Sequence, residues 1–276
     1  MLCNREIKFN VFFHKAISLG AEFLATGHYC QTRIGADGRA QLFKGADPGK
    51  DQSYFLNAVG HEPLTKTLFP IGHLLKSQVR DLARKHSLPV AEKKDSTGIC
   101  FIGERNFKPF LSRYLQAQPG DFRRLDGTSV GKHSGSAYYT LGQRKGLGLG
   151  GPGEPWFVVK KDPVRNLVYV ERGVEHAAMY SDWLEATELS WVSGEGPSEF
   201  PWACQAKVRY RQSDQSCRVL PASDGRVRVE FEQPQRAVTP GQFVAFYEGE
   251  RCLGGGVIRT LGPSYFEQGK TVKVLP

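Results

Sequence analysis

The stretch NREIKFNVFFHKAISLGAEFLATGHY, residues 4–29, decides how the fold is read. Phe9, Phe12, Phe13, Ala16 and Ile17 fall at i, i+3, i+4, i+7 and i+8, the spacing that lines one face of an α-helix. Asn4 suits an N-cap and Gly20 a helix stop. Ala21 to Tyr29 then reads as a buried strand ending in Thr26-Gly27-His28-Tyr29. Helix, short turn, strand, then a glycine at the strand's carboxyl end is the grammar of an α/β sheet. Ligands of open α/β sheets sit beyond such strand ends.

Working outward, Gln41 to Lys44 reads as a short strand, and Lys50-Asp51-Gln52-Ser53 leads into a helix running to Asn57. Ser77 suits the cap of a helix with Val79, Leu82 and Ala83 on one face, ended by Pro89. A short strand near Val90 is expected before a loop that reaches Cys100, and Phe107, Phe110, Leu111, Tyr114 and Leu115 repeat at helical spacing. After Pro119-Gly120 glycines multiply and helical patterns stop; Trp156 to Val159 and Val168 to Val170 read as strands. Further on, Cys204, Ala206, Val208 and Tyr210 alternate with Gln205, Lys207, Arg209 and Arg211. Val227, Val229 and Phe231 alternate likewise after the turn signal Asp224-Gly225. Phe243 to Tyr247 and Cys252 to Ile258 complete a small all-β barrel.

The chain has 276 residues, enough for two domains or three small ones, and 40% hydrophobic with 24% charged residues is ordinary for a globular protein. No apolar run approaches the roughly 20 residues of a membrane span. Arg5, Glu6 and Lys8 stand where a signal peptide needs an apolar core, so a cytoplasmic protein is expected. Its six cysteines are scattered without a CxxC pair, so thiols are expected rather than a disulfide framework, and no metal-ligand spacing is present. A net charge of +9 suits a polyanionic partner and equally a solvated basic surface.

Cys3 opens the first helix beside Arg5 and Lys8; a helix N-terminus and nearby cations favour the thiolate, whereas a free cysteine is otherwise a small core residue. Cys100 follows Lys93 and Lys94 and precedes Arg105, which leaves two readings open: a packed strand-end thiol, or a nucleophile or sulfur carrier in a basic pocket. Cys204 and Cys252 fall on apolar strand faces and read as core; Cys30 and Cys217 have no setting that argues for chemistry. The run Gly142 to Gly151, with Arg144 and Lys145, is not a Walker motif. It suits a close approach to a phosphate backbone or a tight turn with exposed charge. The Lys207, Arg209 and Arg211 face, with Tyr210 beside it, is either a phosphate track or the wet side of a sheet.

The motifs LCNREIKF, ATGHY, KDQSYFL, KKDSTGICFIGER, YYTLGQRKGLGLGG, EPWFVV, VRYRQ, TPGQ and CLGGGVI occur in this order along the whole chain. Together the set resembles the bacterial tRNA-specific 2-thiouridylases (tRNA uridine 2-sulfurtransferases). That resemblance implies α/β plus β architecture. Residues 1–118 would be the remnant of an adenine-nucleotide α-hydrolase-like (PP-loop) domain, 119–170 a β-rich central domain and 171–276 a C-terminal β-barrel. It implies synthesis of 2-thiouridine at the wobble uridine: ATP, with Mg2+, adenylates uracil O2, and sulfur from a cysteine persulfide displaces AMP. Cys100 would carry the persulfide and Cys3 would attack it, leaving a Cys3–Cys100 disulfide. Gly27 would contact ATP. His28, Lys50, Asp51, Gln52, Arg209, Tyr210 and Gln242 would contact tRNA, and a cysteine desulfurase or sulfur-relay protein would supply the sulfur.

The family's opening strand, its SGGxDS-type pyrophosphate loop and an acidic segment before the first cysteine have no counterpart here. The expectation is therefore an N-terminally incomplete enzyme with impaired activity and a poorly stable first third. The competing expectations are a tRNA-binding remnant without catalysis and an ATP-pyrophosphatase-type ligase for a small acid or amide.

Overall fold

A computed structural model describes residues 1–93, 107–115 and 117–272; Cys100 and its loop lie outside them. The chain forms two compact units. The first joins Met1–Lys93, Trp183–Gln233 and Pro240–Leu261, and the second joins Lys94–Asp182, Pro234–Thr239 and Gly262–Pro276.

The first unit begins with a π-type helical segment, Cys3–Phe12, that runs into α1 (Phe13–Ser18). Phe9 and Phe13 are buried, but Phe12, expected on the same face, is exposed. A π-type turn carries more residues than an α-turn, so positions three apart no longer share a face. The expected strand Ala21–Tyr29 shrinks to β1 (Leu24–Ala25), because its neighbour β4 (below) offers only a two-residue parallel pairing, Leu24 with Thr67 and Ala25 with Leu68. Next come β2 (Cys30–Ile34), β3 (Ala40–Lys44), α2 (Ser53–Leu56), α3 (His61–Thr65), β4 (Thr67–Leu68) and α4 (Lys76–Lys85). Leu75, not Ser77, occupies the N-cap position of α4. The Leu75 N–H donates to Gln78 Oε1 at 2.7 Å, and the Lys76 N–H donates to Asp47 Oδ2 at 2.9 Å, so side chains from outside the cap position satisfy the helix start. Val90 lies in a turn and is exposed, not in a strand. Leu2, Ile7, Val11, Phe12, Leu19 and Phe23 are all exposed, a concentration of bare apolar side chains in the first 25 residues.

The second unit holds α5 (Phe107–Leu111) and a four-stranded sheet of β5 (Gly120–Arg123), β6 (Ser129–His133), β7 (Trp156–Asp162) and β8 (Leu167–Arg172), in the order β6-β5-β8-β7. Phe122, Val158, Val168 and Val170 are fully buried on one face. His133 and Tyr139 stand edge-on to Phe122, with centroids 5.2 and 5.1 Å away.

Six strands close the barrel of the first unit: β9 (Tyr180–Trp191), β10 (Trp202–Lys207), β11 (Gln215–Pro221), β12 (Val227–Arg236), β13 (Phe243–Glu248) and β14 (Arg251–Leu261), with β13 pairing β14 to complete the ring. β3 and β2 extend the sheet beyond β14 through Cys252↔Leu42 and Arg251↔Phe43. The N-terminal elements and the barrel therefore share one core, in which Leu42, Leu56, Tyr54, Tyr247 and Cys252 pack together. Each fully buried side chain of that size contributes about 1.5–3 kcal/mol. The CLGGGVI glycines have a packing reason: a Cβ on Gly255 would stand 2.5 Å from Val244 O and 2.8 Å from Asn57 Oδ1, so only glycine lets α2's buried flank reach β14. No helix among the described residues is long and apolar enough to cross a membrane.

Candidate functional site

Four chain segments of the first unit meet around α2. Asn4 is buried and its Nδ2 donates to Phe55 O at 3.0 Å, which clamps the start of the π-type segment, and with it half-buried Cys3, against α2. The Tyr29 N–H donates to Gln52 Oε1 at 3.0 Å, and the Gln52 N–H donates to Tyr29 O at 2.8 Å. This two-way clip holds the Thr26–Tyr29 segment beside the Lys50–Gln52 segment. Tyr210 packs its ring on Phe55 at a centroid distance of 4.4 Å and donates from its hydroxyl to Lys50 O at 3.3 Å. Tyr54, next in α2, donates to Phe243 O at 2.9 Å, directly after exposed Gln242. Burial pushes the Tyr54 phenol up to about 12, and the nearby Arg209 charge works against that rise.

Beneath this surface lies a buried ionic layer. Asp51 Oδ1 accepts from the N–H groups of Gly45 (3.1 Å) and Ser53 (3.0 Å), and its Oδ2 accepts from Ser53 Oγ (3.0 Å). Lys207 Nζ stands 3.9 Å from Asp51 Oδ2 and 3.4 Å from Asp214 Oδ1. Lys44 Nζ contacts the other oxygen of Asp214 at 2.5 Å, and both ammonium groups lie 5.1 Å from the Tyr247 ring centroid. Burial holds the Tyr247 phenol far above its ordinary range, so it stays protonated and shares a hydrogen bond with Ser53 Oγ. Lys207 thus corrects a sequence expectation. β10 ends at Lys207, and its side chain is buried in this layer rather than facing solvent as part of a phosphate track.

His28 sits over the aromatic pair Phe9 and Phe69, with centroids at 5.8 and 6.3 Å, and its Nδ1 lies 2.9 Å from Thr26 Oγ1. Burial first, and then the Lys8 charge, lower its pKa from 6.5 to about 4. The imidazole is therefore neutral at pH 7 and acts through hydrogen bonds, not charge. Between pH 6.5 and 4 the unfolded chain takes up a proton that the folded chain refuses. Stability from this group is complete above pH 6.5 and falls as the pH falls toward 4, by on the order of 2–3 kcal/mol. His28→Gln is expected to flatten the drop in Tm over that window; an equally steep drop in the variant contradicts the assignment.

Gly27 is exposed, and a Cβ built on it would meet only Ile71 Cδ1, at 4.0 Å. Its backbone is open to a ligand. Among the described residues no group of three or more His, Cys, Asp or Glu side chains is arranged to hold a metal ion.

Comparison with known proteins adds the family. A family profile described as "tRNA methyl transferase HUP domain" matches residues 1–104, a "tRNA methyl transferase PRC-barrel domain" matches 108–172, and an "Aminomethyltransferase beta-barrel domain" matches 181–258. The tRNA-specific 2-thiouridylase MnmA of Protochlamydia amoebophila (strain UWE25) is 60% identical over 272 residues, spanning 99% of this chain and 72% of that protein. The chain belongs to the tRNA-specific 2-thiouridylase family. Its relatives of the same name in Shouchella clausii and Francisella tularensis subsp. tularensis are 55% and 53% identical, over 94% of this chain and 70% and 73% of their own lengths.

In this 2-thiouridylase-family chain Cys3, His28, Lys50, Asp51, Gln52, Arg209, Tyr210 and Gln242 all fall in the first unit, tied directly or through one neighbour to α2. Cys100 lies outside the described residues. The Asp51 carboxylate is spent on its own turn, so it shapes the segment that Lys50 and Gln52 present. Sequence reasoning missed Asn4, read as a helix cap, and Phe55, the platform for Tyr210. The apolar residue in the middle of KDQSYFL was the available signal for Phe55; nothing local signalled the long-range bond of Asn4.

Proposed function

We propose that this chain makes 2-thiouridine at the wobble position of tRNA. The observation that carries the reading is the convergence of Cys3, the Gly27–His28 segment, the Lys50–Gln52 segment and Arg209–Tyr210 around α2. The segments 1–118, 119–170 and 171–276 serve in turn as the nucleotide-binding part, the central tRNA-binding part and the barrel. ATP supplies activation: adenylation of uracil O2 converts a poor leaving group into AMP, and the Mg2+ expected with ATP is assigned no protein ligand. The exposed Gly27 backbone lies where the nucleotide would approach.

Cys100 carries a persulfide, Cys100–S–SH, loaded in the cytoplasm by a cysteine desulfurase directly or through a relay protein. The Cys3 thiolate attacks the Cys100 sulfur, and the S–S bond of the persulfide breaks. The terminal sulfur leaves as HS⁻ with the electron pair, and a Cys3–Cys100 disulfide remains. HS⁻ attacks C2 and expels AMP, and a reductant later returns both thiols. Neutral His28 donates or accepts a hydrogen bond at the tRNA, while Lys50, Asp51 (through the turn that its carboxylate shapes), Gln52, Arg209, Tyr210 and Gln242 hold the RNA.

Incubation with unmodified tRNA, ATP and a persulfide donor is expected to give one AMP per 2-thiouridine, read by mass spectrometry of the digested tRNA. Protein that binds tRNA yet forms neither product contradicts the reading. Arg209→Ala is expected to weaken tRNA binding and to reduce the slope of log K against log salt by about 1, as loss of one phosphate contact does. An unchanged slope removes Arg209 from the RNA surface.

A further inference from the structure

The glycine-rich run of the second unit has a pocket that the reaction above does not use. Residues between Arg144 and Trp156, together with Arg172, line an open cavity of about 260 Å³, slightly below the roughly 300–1,000 Å³ of small-molecule sites. Its size suits one residue of a larger ligand. Trp156 and Leu149 form an apolar wall, and Arg172 fixes it: the guanidinium carbon lies 4.3 Å from the Trp156 ring centroid, and its Nη1 and Nη2 donate to Glu154 O (2.7 Å) and Gly150 O (3.3 Å). Trp156 Nε1 also donates to Gly150 O, at 3.2 Å. The wall is thus built before any ligand arrives.

The loop facing that wall is rich in unused donors. Among the described residues no backbone N–H from Arg144 to Gly151 donates to another protein group, and the side chains of Arg144 and Lys145 are exposed without an ionic partner. Gly146 and Gly148 take φ of +76° and +70° on either side of Leu147. Left-handed glycines flanking a residue of negative φ are the backbone pattern from which anion-binding nests are built. An apolar aromatic wall beside a donor-lined, cationic rim matches a nucleotide: a base against Trp156 and Leu149, and its phosphate on the loop. Glu154 at the mouth disfavours an isolated anion but can accept from a ribose hydroxyl or an exocyclic amine.

We propose that the Arg144–Trp156 pocket is a second RNA subsite, taking a single unpaired nucleotide of the tRNA, distinct from the cluster around α2. This rests on the tRNA reading given above. The test measures labelled-tRNA binding by anisotropy at several salt concentrations for the wild type, for Arg144→Ala/Lys145→Ala, and for Arg165→Ala as a control on an exposed cation of the same unit. The double variant is expected to bind about tenfold more weakly near 0.15 M salt, with a log–log salt slope reduced by about 1.5. The control and the melting temperatures should stay unchanged. A double variant with wild-type affinity and slope overturns the subsite while leaving tRNA recognition around α2 standing; a wild-type protein that binds no tRNA overturns both. In a second arm, ATP and AMP are titrated without RNA while the fluorescence lost in Trp156→Phe is followed. A saturable response to free nucleotide, with tRNA affinity indifferent to Arg144 and Lys145, assigns the pocket to mononucleotides and overturns the RNA assignment.

Discussion

Replacing Cys3 by serine is expected to cut 2-thiouridine formation by on the order of 10³-fold or more, the scale of losing a covalent nucleophile, with tRNA affinity within about twofold of the wild type. Cys3 is half-buried and outside the hydrophobic core, so the substitution removes a thiol without opening a cavity. The Asn4 bond to Phe55 that positions the segment is untouched. A serine hydroxyl is a far weaker attacking group at neutral pH. On the proposed route Cys100 is loaded before Cys3 attacks, so the variant should accumulate persulfide that it cannot discharge. Intact-protein mass spectrometry should find an added sulfur that persists when tRNA and ATP are supplied. Wild-type rates of thiolation in the variant would exclude Cys3 from the reaction.

Asp51→Ala is expected to produce the largest loss of stability of any single change at the site. Asp51 is 6% exposed, and its carboxylate accepts from Gly45 N–H, Ser53 N–H and Ser53 Oγ. Alanine would leave these donors unpaired and take one of the two nearby carboxylates away from buried Lys207. Breaking a buried ionic contact in this way costs about 3–5 kcal/mol, or roughly 10 °C in Tm for a unit of this size. The Lys50–Ser53 turn would loosen with it, so tRNA affinity should fall although the carboxylate itself faces inward. Asp51→Asn, which keeps an acceptor for the turn, should recover part of the loss. Thermal melts of the three proteins check this order; a Tm of Asp51→Ala within about 2 °C of the wild type would mean that the turn is held by something else.

The α/β beginning and the β-rich remainder were legible because hydrophobic spacing reports which face of an element is covered. The π-type character of Cys3–Phe12 was not, since residue spacing does not separate i→i+4 from i→i+5 bonding, and Phe12 was placed on the wrong face for that reason. The strand at Ala21–Tyr29 and the one at Val90 were overread because a strand exists only where a partner lies alongside. Lys207 shows the limit of alternation: the pattern marks two faces of a strand but cannot say that the second is covered by the Asp51–Ser53 turn. Cys3 and the Lys50–Gln52, Arg209–Tyr210 and Gln242 positions were proposed from motifs through their family resemblance, and the structure places them in one unit around α2. The bonds that join them, Asn4 to Phe55, Gln52 to Tyr29 and Tyr210 to Lys50, link residues 23 to 160 positions apart and leave no mark in local sequence.

Sulfur moving from position 100 to a uracil, with the thiol at position 3 as the displacing group, is most directly tested by one single-turnover measurement. Protein preloaded with a ³⁴S persulfide on Cys100 is mixed with tRNA and ATP, quenched with an alkylating agent and digested without reductant. The expected products are ³⁴S in 2-thiouridine and an equimolar disulfide-linked peptide pair containing Cys3 and Cys100. Labelled 2-thiouridine formed while both cysteines are recovered separately alkylated would contradict that route.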